Sequence, residues 1–579
     1  MSTQNDRYEP RGWAGIAASK GPIAAYLASA RHKVVVPEGA FETKSTDQTA
    51  VVIGAGVAGL TAAYELLHKR LVSRCIILEA HDRTGGRNFS VRPGHTIQEE
   101  GRAPQVCQFE CEPNEPYPPY LNAGPGRIPS AHVHLLDYLH QFNVPLEVYV
   151  MDSRSNKTYV DGSFDDQSVP NRRIDNDTRG WIAQVLYRYL QASETVQKSA
   201  ETEQFMSLLK KFGNLQSDGQ YTGSNRSGYT HLPGVGPGQP EPPLPLSELL
   251  GSEFWSKTSF YQPQDFLWQP TLFQPVGGMD HVVMAFEERV KCLGGEIQLS
   301  SVVTQIRFDE GAEKYIVTYQ DGNGSHELEA DYCLSNVPIP LLRDVLQTDH
   351  FTDDFQNALH TVYEAQYGVE DSADSGGYKA RFLADTTKVG WQAKRNLWQS
   401  VENADGGYEA GEVPIFGGIS WSTDQIVQIW YPSDNYHGEF GVLTGAYNFQ
   451  ETAFNWGDLS VKERLKRARE GAKSIGGEAF AEGLKHGLAI AWQKIAHIKG
   501  GWANWHAIED EETRAKAYNS LIQGDNHFYI VGDQLSALPG WQEGAVVSAI
   551  NAVNRIADGE YFIPELDFLP NTRFTVEAL

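Results

Sequence analysis

The amino-acid sequence predicts an α/β fold, α+β over the chain as a whole, in which one sheet is assembled from segments far apart in the chain. Three observations predict it. Strand-like apolar runs recur near the start, in the middle and near the end, at residues 50–54, 75–79, 296–308, 314–320, 425–431 and 527–532. Stretches of helical periodicity lie between them. The first run passes through a glycine-rich turn into a helix and a second strand, the opening of a βαβ unit and of a parallel sheet.

Composition narrows the function class. The 579 residues suggest three to five domain-sized units at roughly 100–200 residues each. The formal net charge of −26 repels phosphates, so a general nucleic-acid binder is excluded. Cys75, Cys107, Cys111, Cys292 and Cys333 are too few for a disulfide scaffold, and Cys107 and Cys111 read as two thiols. The longest apolar run, residues 51–63, contains three glycines and is too short to span a bilayer. No basic start leads into an apolar stretch, so no secretory signal is read, and the terminal TVEAL matches no retention address. The expectation is a soluble, cytoplasmic protein without a membrane partner. No zinc or calcium ligand pattern appears, so no metal is expected.

Along the chain, residues 1–48 form an Ala-rich extension, with short helices expected within residues 13–30 and broken at Gly21-Pro22. Residues 178–212 have helical periodicity, with Trp181, Ile182, Val185, Leu186, Tyr189 and Leu190 forming an apolar stripe. Residues 216–245, rich in Gly, Pro and Ser, read as a long surface loop without regular elements.

The opening unit has the form of a dinucleotide fingerprint. Thr49-Ala-Val-Val-Ile53 runs into Gly54-Ala55-Gly56-Val-Ala58-Gly59, then a helix from Leu60 to Arg70, then a strand ending at Glu79, 20 residues after Gly59. Gly54 permits the tight turn, Gly56 lets a pyrophosphate approach the backbone, and Gly59 lets helix and strand pack closely. The helix N-terminus offers amide donors and a favourable dipole. Glu79 accepts from a ribose diol in this arrangement.

After Glu79 follow Ala80-His81-Asp82-Arg83-Thr84-Gly85-Gly86-Arg87. Here the chain resembles the flavin amine oxidase family, which carries a Gly-Gly-Arg in this place. The resemblance implies FAD, with Gly86 and Arg87 near its pyrophosphate and Arg83 near the nucleotide. Gln274-Pro-Val-Gly277-Gly278-Met279 resembles the family's Pro-x-Gly-Gly-Met segment. Residues 299–306 resemble the strand whose valine backbone, here Val303, contacts adenine. Tyr529-Ile-Val-Gly532-Asp533, followed by Pro539-Gly540-Trp541-Gln542-Glu543-Gly544-Ala545, resembles the closing signature, with Asp533 where the family usually has Glu. The helix read over residues 544–556 would aim its N-terminus at the anionic end of a reduced flavin. The chain has no Cys after Cys333, which excludes a C-terminal cysteinyl tether and implies non-covalent FAD.

Leu121-Asn-Ala-Gly124-Pro125-Gly126-Arg127-Ile128-Pro129 resembles the L-amino-acid oxidase branch of that family, in which such an Arg pairs with the substrate carboxylate. A guanidinium fork matches a carboxylate in geometry and charge. In so acidic a chain, a cation beside the expected flavin site is what an anionic substrate requires. The branch further implies that Tyr431 bonds the carboxylate, with Trp430 as the rival aromatic. It places the Gly540 carbonyl near the amine, Trp541 beside the ring and Trp502 in the side-chain pocket. Lys379, on a strand-like stretch, matches the family's lysine that holds a water near flavin N5. His132 and His134 read as structural.

The function implied is oxidative deamination of L-amino acids, large or aromatic ones among them, by hydride transfer from Cα to flavin N5. The products are 2-oxo acids, ammonia and hydrogen peroxide, with O2 as the second substrate. The alternatives are a polyamine or monoamine oxidase, or a non-catalytic flavoprotein. The FAD-binding domain is expected from residues 49–105, 265–345 and 523–565, in a Rossmann-like arrangement. A mixed-sheet substrate domain is expected from 1–48, 106–165 and 346–522, and a helical insertion from 166–264. A homo-oligomer stays open.

Overall fold

The computed structural model describes residues 47–113, 115–193, 199–268, 271–368, 377–399 and 414–557. The helices expected within residues 13–30 lie outside them.

Alternation of apolar side chains builds the central sheet. Ala50 and Val52 face one side with Cys75 and Ile77, while Val51 and Ile53 face the other with Ile76 and Leu78. Both faces are therefore covered, as a parallel sheet requires. The sheet has five parallel strands, in the order Glu296–Gln298, Arg74–Leu78, Thr49–Ile53, Tyr332–Ser335 and Phe528–Ile530. On one face pack the helices Val57–His68, His281–Cys292 and Gln542–Ile556. On the other lie a three-stranded antiparallel sheet (Val302–Asp309, Lys314–Asp321, Gly324–Ala330) and the helices Asp353–Tyr367 and Glu511–Gln523. Chain order runs outward in one direction from Thr49–Ile53 and then jumps to Tyr332–Ser335 on its other side. The crevice at such a switch point is where open α/β sheets bind ligands.

The second layer is a seven-stranded mixed sheet, ordered Val169–Pro170, Lys157–Tyr159, Ile419–Ser422, Gln428–Trp430, Phe440–Phe449, Thr386–Lys394 and Lys485–Ala491. Its one parallel pair joins Lys157–Tyr159 to Ile419–Ser422. A small sheet of Ile128–Pro129, Leu272–Pro275 and Leu146–Tyr149 anchors the chain just after Arg127.

Three expectations are corrected. The run 296–308 is two strands, because Ser300 adopts φ 53° and breaks it. The helical stretch 178–212 is two helices, Asn171–Ala192 and Ala200–Gly213. Its apolar stripe does not face the core: Ile182, Val185, Leu186 and Tyr189 are exposed, while Gly180, Ala183 and Tyr187 form the buried face. The loop 216–245 contains a short hairpin, Tyr229–His231 with Gln239–Pro240. The buried Asp177 carboxylate secures that region by accepting from the Tyr221 hydroxyl, the Ser227 hydroxyl and the Leu244 amide.

Candidate active site

At the switch point a cleft enclosing about 1530 Å³, part of it open to solvent, runs between Ile53 and Asn336. Gly54, Gly56 and Ala58 line it where the first strand turns into the helix Val57–His68. Gly59 lies behind them, and a Cβ there would overlap the Gly54 carbonyl, which is why strand and helix can meet. Glu79 is buried at the cleft wall. Its Oε2 accepts from the Ala55 amide at 2.7 Å and its Oε1 from the His81 amide at 2.9 Å. Each carboxylate oxygen retains a lone pair for a ribose hydroxyl. Burial pushes this carboxyl above the usual range, opposed by those two amides. Ala80, His81, His497, Ser301, Val302 and Val303 complete this end.

Arg87 lines the middle of the cleft and is fixed from two sides. Its guanidinium donates to the Gly501 carbonyl at 2.6 Å and pairs with the Asp533 carboxylate. Asp533 also accepts from the Gly540 amide at 2.7 Å. One short side chain thus ties the Gly-Gly-Arg loop to the closing segment. Gly86, Gly124, Pro125, Gly540, Trp541, Gln542 and Ala545 line the same cleft, the last three at the N-terminal end of the helix Gln542–Ile556. A Cβ at Gly124 would overlap the Arg87 carbonyl, so the two segments cross at backbone distance.

Several expected cofactor residues act without lining the cleft. Arg83 donates to the carbonyls of Thr84 and Gly86 at 3.1 and 2.9 Å and covers Phe89, holding the loop rather than facing the cavity. Burial lowers its pKa to about 10. Gly532, at φ 136°, donates its amide to Ser548.

The residues fit a bound dinucleotide. Asn88 and Gln542 both line the cleft, and their side-chain amides have no partner among the described residues. Buried polar atoms of this kind are satisfied by a ligand or by water.

Gly126 and Arg127 do not line this cleft; Arg127 is 6% exposed and packs on two indoles, 4.1 Å from the Trp268 ring and 4.4 Å from the Trp430 ring. Its Nε and Nη1 have no hydrogen-bond partner among the described residues. No carboxylate is paired with it among them; burial lowers its pKa, and a hydrogen bond with Tyr149 opposes this. Trp268 in turn meets Trp541 edge-on at 5.3 Å, and Trp541 meets His132 at 5.0 Å. His132 is buried, with its pKa lowered to about 4 by desolvation. His134 bonds Glu543, as a structural histidine does. Trp502 lines the cleft against Gly540 and Phe449.

Two expectations fail here. Lys379 is exposed in an irregular segment and does not line the cleft. Among the described residues the buried lysine is Lys388, on the strand Thr386–Lys394, 1% exposed and also outside the cleft lining. Its Nζ donates to the carbonyls of Asn122 and Gly124 at 3.0 and 2.7 Å. Burial and then Arg127 lower its pKa to about 7. Tyr431 does not line the cleft; with Trp430 it lines a separate cavity. Its hydroxyl accepts from Ser420 at 3.3 Å within a core that includes Trp398 and Phe480, and burial raises its pKa to about 12. Trp430, not Tyr431, reaches Arg127. Tyr447, on the strand Phe440–Phe449, lines the cleft with its ring 4.6 Å from Lys388 Nζ and 5.1 Å from Trp430. Neither Lys388 nor Tyr447 carries a local motif; only the alternation of their strands marks them.

A family model for flavin-containing amine oxidoreductases matches residues 57–557, and the chain belongs to that family. It is 24% identical to the flavin-dependent L-tryptophan oxidase RebO of Lentzea aerocolonigenes, over 88% of this chain and 98% of that protein. It is 23% identical to an L-amino-acid oxidase of Siganus canaliculatus, over 88% and 86% respectively. Among solved structures, putrescine oxidase bound to putrescine aligns at TM-score 0.51 and 16% identity over 88% of this chain and 98% of its own. Cyclohexylamine oxidase from Brevibacterium oxydans IH-35A aligns at TM-score 0.51 and 15% identity over 89% and 99%. These establish the flavin amine oxidase fold. The chain is thus a flavoprotein oxidoreductase of the amine oxidase class, and its curated relatives include L-amino-acid oxidases.

Proposed function

We propose that this protein is an FAD-dependent L-amino-acid oxidase that holds its flavin without a covalent bond. One observation carries the reading: Arg127 is a buried guanidinium with two unpartnered nitrogens and no acid beside it among the described residues. An uncompensated buried charge is costly, and a substrate carboxylate removes that cost. A simple amine leaves Arg127 unpaired. None of the five cysteines lines the cleft, in keeping with a non-covalent cofactor.

FAD held by the Gly54–Gly56 turn, Glu79 and the cleft wall at Arg87 would supply the two-electron acceptor for the Cα–H hydride, with O2 as the final oxidant and hydrogen peroxide as its product. The chain's own residues do the rest. Arg127 grips the carboxylate, with Tyr447 as its hydroxyl partner and Tyr149 fixing the guanidinium. Trp268, Trp430 and Trp541 exclude water around it, which strengthens the ion pair. The amine must be neutral to react. Neutral Lys388 spends both N–H bonds on carbonyls and keeps a lone pair, so Nζ can take up a proton near neutral pH. The aromatic lining, with Trp502 at the side-chain end, suits large or aromatic side chains.

The test is peroxide release against a panel of L-amino acids and the matching decarboxylated amines. Turnover of the amino acids with little of the amines is expected. Turnover of the amines alone would establish an amine oxidase, and yellow protein with no turnover a non-catalytic flavoprotein.

A further inference from the structure

A second cavity, about 800 Å³ with part open to solvent, is lined by Leu121, Asn122 and Gly126 of the segment whose Ala123, Gly124 and Pro125 line the flavin cleft. Its lining is acidic, including Glu115 and Asp434, with one cation, Arg395. That cation is 4% exposed. Its Nε donates to the Phe440 carbonyl at 2.7 Å and its Nη2 to Asp434 Oδ1 at 3.3 Å, while Nη1 has no partner among the described residues. Asp434 also accepts from the Tyr117 hydroxyl at 3.0 Å. Glu147, hydrogen-bonded to the lining residue Gln274, adds a further carboxylate, which burial and Asp434 push up to about 7. The cavity wall thus holds a buried guanidinium with one unpartnered nitrogen, among an excess of carboxylates.

We infer that this cavity is a second binding site, separate from the flavin cleft, for a small ligand with a carboxylate and at least one ammonium group, that is, a free amino acid. Arg395 Nη1 takes the carboxylate, and Asp434 and Glu115 face the ammonium. Trp430 lines this cavity and also covers the Arg127 guanidinium. A ligand seated here therefore presses on the ring that orients the substrate-binding arginine, which makes the site modulatory. The surplus of carboxylates favours a dibasic amino acid, so L-lysine is the probe.

The experiment titrates the flavin-loaded Arg127→Ala protein with L-lysine under anaerobic conditions by calorimetry, which removes the contribution of the first site. One equivalent is expected to bind, and cadaverine, which lacks the carboxylate, about tenfold more weakly, the loss of one charge-assisted hydrogen bond. Arg395→Gln in that background is expected to abolish binding. Glu115→Gln, which leaves the Arg395–Asp434 pair intact, is expected to weaken it about tenfold. Unchanged melting and flavin absorbance establish that the variants fold. The inference is overturned if the Arg127→Ala protein binds no lysine, if cadaverine binds equally well, or if folded Glu115→Gln binds as the parent does.

Discussion

The guanidinium of Arg127 lies 4.4 Å from the centre of the Trp430 ring. Trp268 lies 4.1 Å from the same guanidinium, so the cation is buried against two aromatic rings. A preorganised charge of this kind loses little on binding and gains a full ion pair. Arg127→Ala is therefore expected to lower kcat/KM for L-amino acids by at least about 100-fold, the loss of one member of a buried ion pair at ~3–5 kcal/mol. The flavin content of the purified protein, read from its visible absorbance, should stay at the parent value. A variant with full activity would remove the assigned role.

Lys388 gives a pH signature. Its folded pKa, about 7, lies below the ordinary lysine value of 10.5. Between those values the unfolded chain holds a proton that the folded chain does not, so stability rises with pH across that window and is flat below about 7. The slope is at most about 1.4 kcal/mol per pH unit. Lys388→Met removes the penalty. Its stability relative to the parent should grow as pH falls from 10 to 7, measured by denaturant melts at each pH. In the parent, turnover should rise through about pH 7 as Nζ loses its proton, and the limb should flatten in the variant.

Asp533 joins Arg87 to the Gly540 amide. Asp533→Asn preserves the shape and removes the charge, leaving Arg87 with the Gly501 carbonyl alone among these partners. A loss of about 1–3 kcal/mol is expected, since a charge-assisted bond becomes a neutral one. Release of flavin fluorescence on heating should occur at a lower temperature than in the parent. Asp533→Glu keeps the charge but inserts a methylene between fixed partners and should recover the loss only in part.

Cleft-lining residues carried by contiguous chain were legible in the sequence: Gly54, Gly56, Glu79 and Arg87 follow directly on the first two strands, so their place depends on residues a few positions away. Lys388 and Tyr447 were not, because their place depends on pairing between Thr386–Lys394 and Phe440–Phe449, which no local pattern reports. Lys379 and Lys388 are nine positions apart, and only the observed start of that strand decides between them. The outward stripe of the helix Asn171–Ala192 misled for a similar reason. Apolar spacing identifies a helix but not the face its neighbours cover, and here Ala200–Gly213 packs on the face of Ala183 and Tyr187.

Tyr431 and Tyr447 put the reading of the sheet faces to an experiment. Tyr431 is 3% exposed, with its hydroxyl on Ser420 and its ring in the core of Trp398 and Phe480. Removing that hydroxyl costs one modest neutral hydrogen bond, ~0.5–1.5 kcal/mol of stability, and touches no substrate atom. Tyr431→Phe should therefore melt slightly earlier and keep kcat/KM within about threefold of the parent, a difference below ~0.7 kcal/mol. Tyr447 faces the cleft, and Arg127 opposes the burial that raises its pKa to about 12. Tyr447→Phe should retain stability and raise KM for L-amino acids about tenfold, the worth of one hydrogen bond to a carboxylate. The opposite pattern, a raised KM in Tyr431→Phe and none in Tyr447→Phe, would reverse the assignment of the two faces and return the carboxylate contact to the strand end at Pro432.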